Sequence, residues 1–173
     1  KVRLWMKPID TIQQYTRPIT DGIAVRKLQM DKSEEEKEAD LQSIPDPVKR
    51  QARKETMEKG IEAPIVMNSL KKAGEFLDQL EANIEDSGWI AGDKFSMADA
   101  CTLPYILRLD HLALSEAFSK EKRPKINNWY KEVRDLDFFD KAVTSQIPPP
   151  LVEMMNTFGE EVKEKALNLM EEK

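Results

Sequence analysis

Cysteine, histidine and glycine are scarce in this chain, and each scarcity excludes a class of protein. Among 173 residues there are one Cys, one His and six Gly. A single cysteine cannot form an internal disulfide, so a disulfide-stapled secreted domain is excluded and a cytoplasmic location is expected. The single histidine, His111, cannot build a site of several imidazoles, and we predict no metal. So few glycines also argue against a sandwich of short strands joined by tight turns.

The chain also lacks a dominant charge and a long hydrophobic run. It has 27 Lys and Arg against 32 Asp and Glu, for a net charge of −5. A nucleic-acid-binding surface would need a basic face, so no nucleic-acid partner is predicted. No apolar run approaches the roughly 20 residues of a membrane span, and no signal peptide is visible. Because the first residue is not Met, we expect the chain to be a piece of a larger protein.

What is present is helical periodicity, and the predicted fold class is all-α. Apolar residues recur at spacings of three and four, which is typical of one face of a helix. Prolines within the first segment, Pro8 and Pro18, predict a kink or an interruption there. The predicted helices cover residues 1–29, 62–86, 96–112, 124–133, 137–143 and 151–169.

The segment 31–60 interrupts this pattern between the first two long helices. It opens with an acidic, nearly apolar-free stretch, in which Ser33 is a predicted N-cap with Glu36 three residues later. We interpret the stretch 31–40 as a solvated excursion and 31–60 as an insertion within a helical domain of residues 1–147. Residues 148–173 are predicted to form one C-terminal amphipathic helix with a Glu161–Lys165 ion pair on its polar side.

The sharpest start signal for a helix is Ser96-Met97-Ala98-Asp99. It has the S-x-x-D form of a capping box, in which Ser96 and Asp99 each satisfy the other's backbone N–H. We predict a structural role for this pair, and a loss of about 1 kcal/mol for Asp99→Ala.

No catalytic constellation is visible. Cys101 lies early in an apolar helix, where a thiol is usually a small core residue. His111 ends the same helix and is predicted to have a structural role or to contact a substrate. Neither a glycine-rich phosphate loop nor a serine-nucleophile motif is present.

Two groups of residues nevertheless resemble a known family. The run from Trp89 to Ala100, WIAGDKFSMADA, resembles the segment that opens the central helix of the glutathione S-transferase C-terminal domain. Arg123-Pro124 with Ile126, Trp129 and Tyr130 resembles a later helix of that domain, and Phe138-Phe139 with Ala142-Val143 resembles its closing segment. The resemblance covers most of residues 1–145. The acidic insertion and the basic segment after it are similar to those of bacterial glutathione transferases that cleave β-aryl ethers.

This resemblance implies an all-α bundle that forms the hydrophobic-substrate site and much of a homodimer interface. In the family, glutathione is bound and activated by an N-terminal thioredoxin-like domain, which is absent from this chain, so no catalytic residue is expected here. The parent enzyme would conjugate glutathione to a small hydrophobic electrophile or cleave its aryl ether. The substrate contacts implied are Trp5, Ile9, Ile12, Gln13, Tyr105 and His111. An alternative is a non-catalytic protein-interaction module, a use this fold has in translation factors and aminoacyl-tRNA synthetases.

Overall fold

The computed structural model describes residues 2–172, and in that part of the chain it contains helices and connecting turns but no strand. The predicted all-α fold is therefore confirmed. Lys1, where the predicted domain 1–147 begins, and Lys173, where the predicted segment 148–173 ends, lie outside the described residues. The α-helices are α1 Val2–Thr20, α2 Arg26–Met30, α3 Glu34–Gln42, α4 Pro47–Lys59, α5 Pro64–Asn83, α6 Met97–His111, α7 Pro124–Arg134, α8 Phe139–Ala142, α9 Pro149–Glu160 and α10 Lys163–Glu171.

The first predicted helix is interrupted once within its length. Pro8 and Pro18 both lie inside α1, and the chain then passes through a π-helical segment, Asp21–Val25, before α2 begins. Within this segment the helix lies close against α5, because a Cβ added at Gly22 would be 2.8 Å from a methyl carbon of Val66. The change of helical geometry thus follows the second proline and coincides with this tight contact.

The hydrophobic core lies where α1, α5 and α6 pack against one another. The longest helix, α5, contacts both α1 and α10, while α6 contacts α1 and α9. Helices α1 and α5 each contribute an apolar stripe, as the sequence spacing predicts, and α6 contributes Leu103, Ile106 and Leu109. Fully buried large side chains include Ile19, Ile23, Leu70, Leu77, Leu80, Ile106, Leu112, Ile126 and Trp129.

The insertion 31–60 forms a helical pair, α3 and α4. Ser33 caps α3 as predicted: its backbone N–H donates to Glu36 at 2.9 Å, and its hydroxyl accepts from the Glu36 N–H at 3.2 Å. The other end of the pair is tied to α2, because the Arg26 guanidinium donates to the carbonyl oxygens of Met57 and Glu58, each at 3.1 Å. Carbonyl oxygens in the last turn of α4 are therefore capped by a side chain from outside the insertion.

The prediction of one helix after Pro150 is wrong, because the chain forms two helices with a break at Glu161 and Val162. A straight helix over this stretch would extend about 33 Å and could not follow the globule. The break brings the buried face of α10, including Ala166, Leu169 and Met170, against α5. It also removes the predicted Glu161–Lys165 pair: Glu161 instead pairs with Lys27, and Lys165 with Glu62.

Candidate functional site

The Asp99 carboxylate is the most densely hydrogen-bonded side chain near the sequence motif. It is fully buried. One oxygen accepts from the backbone N–H and the hydroxyl of Ser96, both at 2.8 Å. The other accepts from the Ile90 N–H at 3.1 Å and from the Trp129 indole N–H at 2.9 Å. All acceptor capacity is directed at the protein itself, so this site organises the start of α6 rather than binding a ligand.

The substrate residues predicted on α1 lie in two different environments. Trp5, Ile9 and Ile12 are 8%, 3% and 4% exposed and belong to the hydrophobic core. Gln13, by contrast, is exposed. Of the three apolar residues, Ile12 also borders an opening between helices, whereas Trp5 and Ile9 stabilise the fold through packing.

Gln13 and Tyr105 belong to a surface that we call the α1–α6 face. On α1 it consists of Met6, Asp10 and Gln13, which are spaced by four and three residues and therefore lie on one side of the helix. On α6 it consists of Met97, Cys101 and Tyr105, spaced by four. Met97 is 62% exposed, and Cys101 and Tyr105 are half-buried.

Asp10 on α1 acts electrostatically on Tyr105 on α6, which links the two helices of this face. Burial raises the pKa of Tyr105, and the neighbouring side chains of Asp10 and Cys101 raise it further. The tyrosine is therefore a neutral hydroxyl at physiological pH, able to donate one hydrogen bond. No hydrogen bond of that hydroxyl is formed with any of the described residues, so it is available to a ligand.

A separate groove runs along the other side of α1. This α1–α5 groove has a volume of about 260 Å³, and its floor includes Ile12 and Phe76. Lysine and glutamate side chains line its rim, with Lys72 paired to Glu75 at 2.7 Å. Of the predicted substrate residues, Ile12 lines this groove.

His111 lies in a third location, which we call the α6–α9 cleft. This cleft has a volume of about 590 Å³ and is bordered by α6, α7, α8 and α9. Six residues of α-helix turn through about 600°, which leaves the side chains of Tyr105 and His111 about 120° apart around α6. The six predicted residues are therefore not one site, and helix arithmetic on the sequence could have shown this for Tyr105 and His111.

Across residues 2–172, no three His, Cys, Asp or Glu side chains are arranged to hold a metal ion. No helix in the same range has the length and apolarity to cross a membrane.

Comparisons with known proteins identify the family. The family model described as "Glutathione S-transferase, C-terminal domain" matches residues 23–137, which is more than half of the chain. The match includes the Ser96–Asp99 capping box and the whole of α7, and it leaves all of α1, α8, α9 and α10 outside. No curated protein and no solved structure matches the chain. The chain belongs to the glutathione S-transferase C-terminal domain family.

Proposed function

We propose that this chain is the hydrophobic-substrate half of a glutathione transferase, and that its α1–α6 face forms one wall of the substrate site. The observation that carries the proposal is the composition of that face. It combines two methionines, a half-buried thiol and a tyrosine hydroxyl without a protein partner on two adjacent helices. A small hydrophobic molecule with one polar group is complementary to such a surface.

The side chains of this face explain why an uncharged substrate would be preferred. Met6 and Met97 are flexible and polarisable, so they adapt to ligands of irregular shape. Asp10 is the one charged member of the face, and its carboxylate would repel an anion. Glutathione carries a net negative charge, so its binding site belongs on a different domain, which the family resemblance identifies as thioredoxin-like.

The reaction of the parent enzyme would take place between two substrates that are held on different domains. The glutathione thiolate would attack an electrophilic carbon held against the α1–α6 face. The products would be a conjugate or, for a β-aryl ether, a thioether and a released aryl oxide. The pKa of Tyr105 is raised rather than lowered. Its hydroxyl is therefore suited to hydrogen-bonding the substrate, and stabilisation of the thiolate would come from the glutathione-binding domain.

A fluorescence titration with the uncharged probe N-phenyl-1-naphthylamine tests this placement. Met97→Asp should weaken probe binding by about fivefold, because it replaces an apolar contact with a charge. Met30→Asp is the matched control, since Met30 is 59% exposed on α2 and lies away from the face. Weaker binding in Met30→Asp together with unchanged binding in Met97→Asp would contradict the proposal.

An exposed apolar patch would also serve a second candidate function, the non-catalytic interaction module. Val48 on α4 and Ile65 on α5 are 76% and 40% exposed, and both line a shallow cleft beside Pro47 and Pro64. We assign the homodimer contact of the proposed enzyme to this patch. A pure interaction module would use the same patch for a different protein and would not bind the probe at the α1–α6 face. The probe titration therefore separates the two functions.

A further inference from the structure

The α6–α9 cleft is a half-open space that is separate from the α1–α6 face. No residue is shared between its lining and that face. Its volume of about 590 Å³ lies within the range of small-molecule sites. Its walls are mainly apolar, formed by Leu107, Phe139, Val143, Ile147, Pro149 and Val152. An apolar ligand with one or two rings fits a cleft of this volume.

One end of the cleft is polar and is ordered by hydrogen bonding. The Tyr130 hydroxyl donates to one oxygen of Asp110 at 2.8 Å. The Arg134 guanidinium lies over the Tyr130 ring, 5.5 Å from its centroid. His111 is half-buried beside these groups, and its imidazole makes no hydrogen bond within the described part of the chain. The His111 imidazole is therefore a hydrogen-bonding group that has no protein partner among the described residues.

The imidazole of His111 is neutral at physiological pH. Burial is the largest cause, and it lowers the pKa of His111; Asp110 raises the pKa, while Arg108 and Arg134 lower it. A neutral imidazole has one nitrogen that accepts a hydrogen bond. The second Asp110 oxygen is a further acceptor at the same end.

The surrounding charges select the class of ligand. Arg134 would oppose a cation, whereas Asp110 and Glu153 would oppose an anion. The apolar walls would not solvate either ion. An uncharged molecule with a donor at one end satisfies all three conditions.

We propose that the α6–α9 cleft binds an uncharged apolar ring compound carrying one hydroxyl group, which donates to the His111 imidazole. The apolar part lies against Val143, Ile147 and Val152. This site is separate from the proposed substrate wall, and it does not depend on a glutathione transferase activity.

The single histidine makes a direct test possible. In an NMR spectrum of the 173-residue chain, the imidazole C–H signals belong to His111 without further assignment. The probes are 2-naphthol and 2-methoxynaphthalene, which differ in the O–H donor. Saturable movement of the His111 signals by 2-naphthol is the expected result. Unmoved signals at the solubility limit of 2-naphthol would overturn the proposal.

Variants separate the hydrogen bond from the cavity. His111→Leu should weaken 2-naphthol binding by about fivefold and leave 2-methoxynaphthalene unchanged, since it removes one hydrogen-bond acceptor. Val143→Trp should abolish binding of both compounds by filling the cleft. Thr11→Trp, which fills the α1–α5 groove instead, is the control and should alter neither. Equal affinity of 2-naphthol for the original chain and His111→Leu would overturn the assigned hydrogen bond and with it the proposal.

Discussion

At the scale of single residues, Asp99 joins three separate segments of the chain through one carboxylate. Ser96 is three positions away, Ile90 nine and Trp129 thirty, and all donate to it. The sequence predicts the Ser96 half of this arrangement because a capping box is local in the chain. The Ile90 and Trp129 bonds depend on how the preceding loop and α7 pack, and no spacing rule anticipates them.

The capping box of α3 is the control for the stability cost of removing the Asp99 carboxylate. Asp99→Ala should lower the free energy of unfolding by about 3 kcal/mol, more than the roughly 1 kcal/mol of an ordinary cap, because it leaves buried N–H groups of Ile90 and Trp129 unpaired. Glu36→Ala removes the equivalent acid from the exposed capping box of α3 and should cost less than 1 kcal/mol. Urea unfolding of both variants measures the difference. Equal losses would show that the Ile90 and Trp129 bonds add nothing to stability.

At the scale of helices, close backbone contacts hold the C-terminal pair in place. A Cβ added at Gly74 of α5 would be 1.8 Å from the carbonyl oxygen of Met170 on α10. A Cβ added at Gly159 of α9 would be 2.0 Å from the carbonyl oxygen of Leu112. Glycine inside a helix weakens it, so its presence in both helices indicates a packing requirement. That signal is present in the sequence, although it does not identify the partner helix.

Gly74→Ala should therefore destabilise the protein despite the higher helix propensity of alanine. We expect a net loss of about 2 kcal/mol, because α10 must move away from α5 to admit the methyl group. Hydrogen exchange should rise first in α10. Asn68→Ala, at an exposed position of the same helix, is the control and should be neutral or slightly stabilising. Increased stability of Gly74→Ala would contradict the close packing of α5 and α10.

How far the sequence predicts each element depends on whether its cause is local. The starts of α3 and α6 follow from Ser33 and Ser96, whose caps act within one turn. The split between α9 and α10 depends on contacts with α5 and α6, so the continuous apolar stripe of residues 151–169 was misleading. The candidate site shows the same limit: periodicity identifies the apolar side of α1, but it does not distinguish core residues such as Ile9 from groove residues such as Ile12.

At the scale of the whole molecule, the central helix α6 separates two surfaces with different chemistry. The α1–α6 face is lined by methionine, cysteine and tyrosine, whereas the α6–α9 cleft has a volume of about 590 Å³ and includes His111 in its lining. The family match over residues 23–137 includes α6 and α7 and ends before α8. We propose that ligand recognition depends on the surfaces that α1, α8 and α9 complete, outside the matched segment.

The most direct test of the central claim is a pair of calorimetric titrations of the 173-residue chain carrying Val143→Trp, which fills the α6–α9 cleft, one with N-phenyl-1-naphthylamine and one with glutathione. We predict saturable binding of the hydrophobic probe and no binding of glutathione up to about 10 mM. A dissociation constant above about 10 mM corresponds to a binding free energy weaker than about −3 kcal/mol. Saturable glutathione binding below about 1 mM, with no binding of the probe, would contradict the claim, because the chain would then hold the thiol substrate rather than the hydrophobic one.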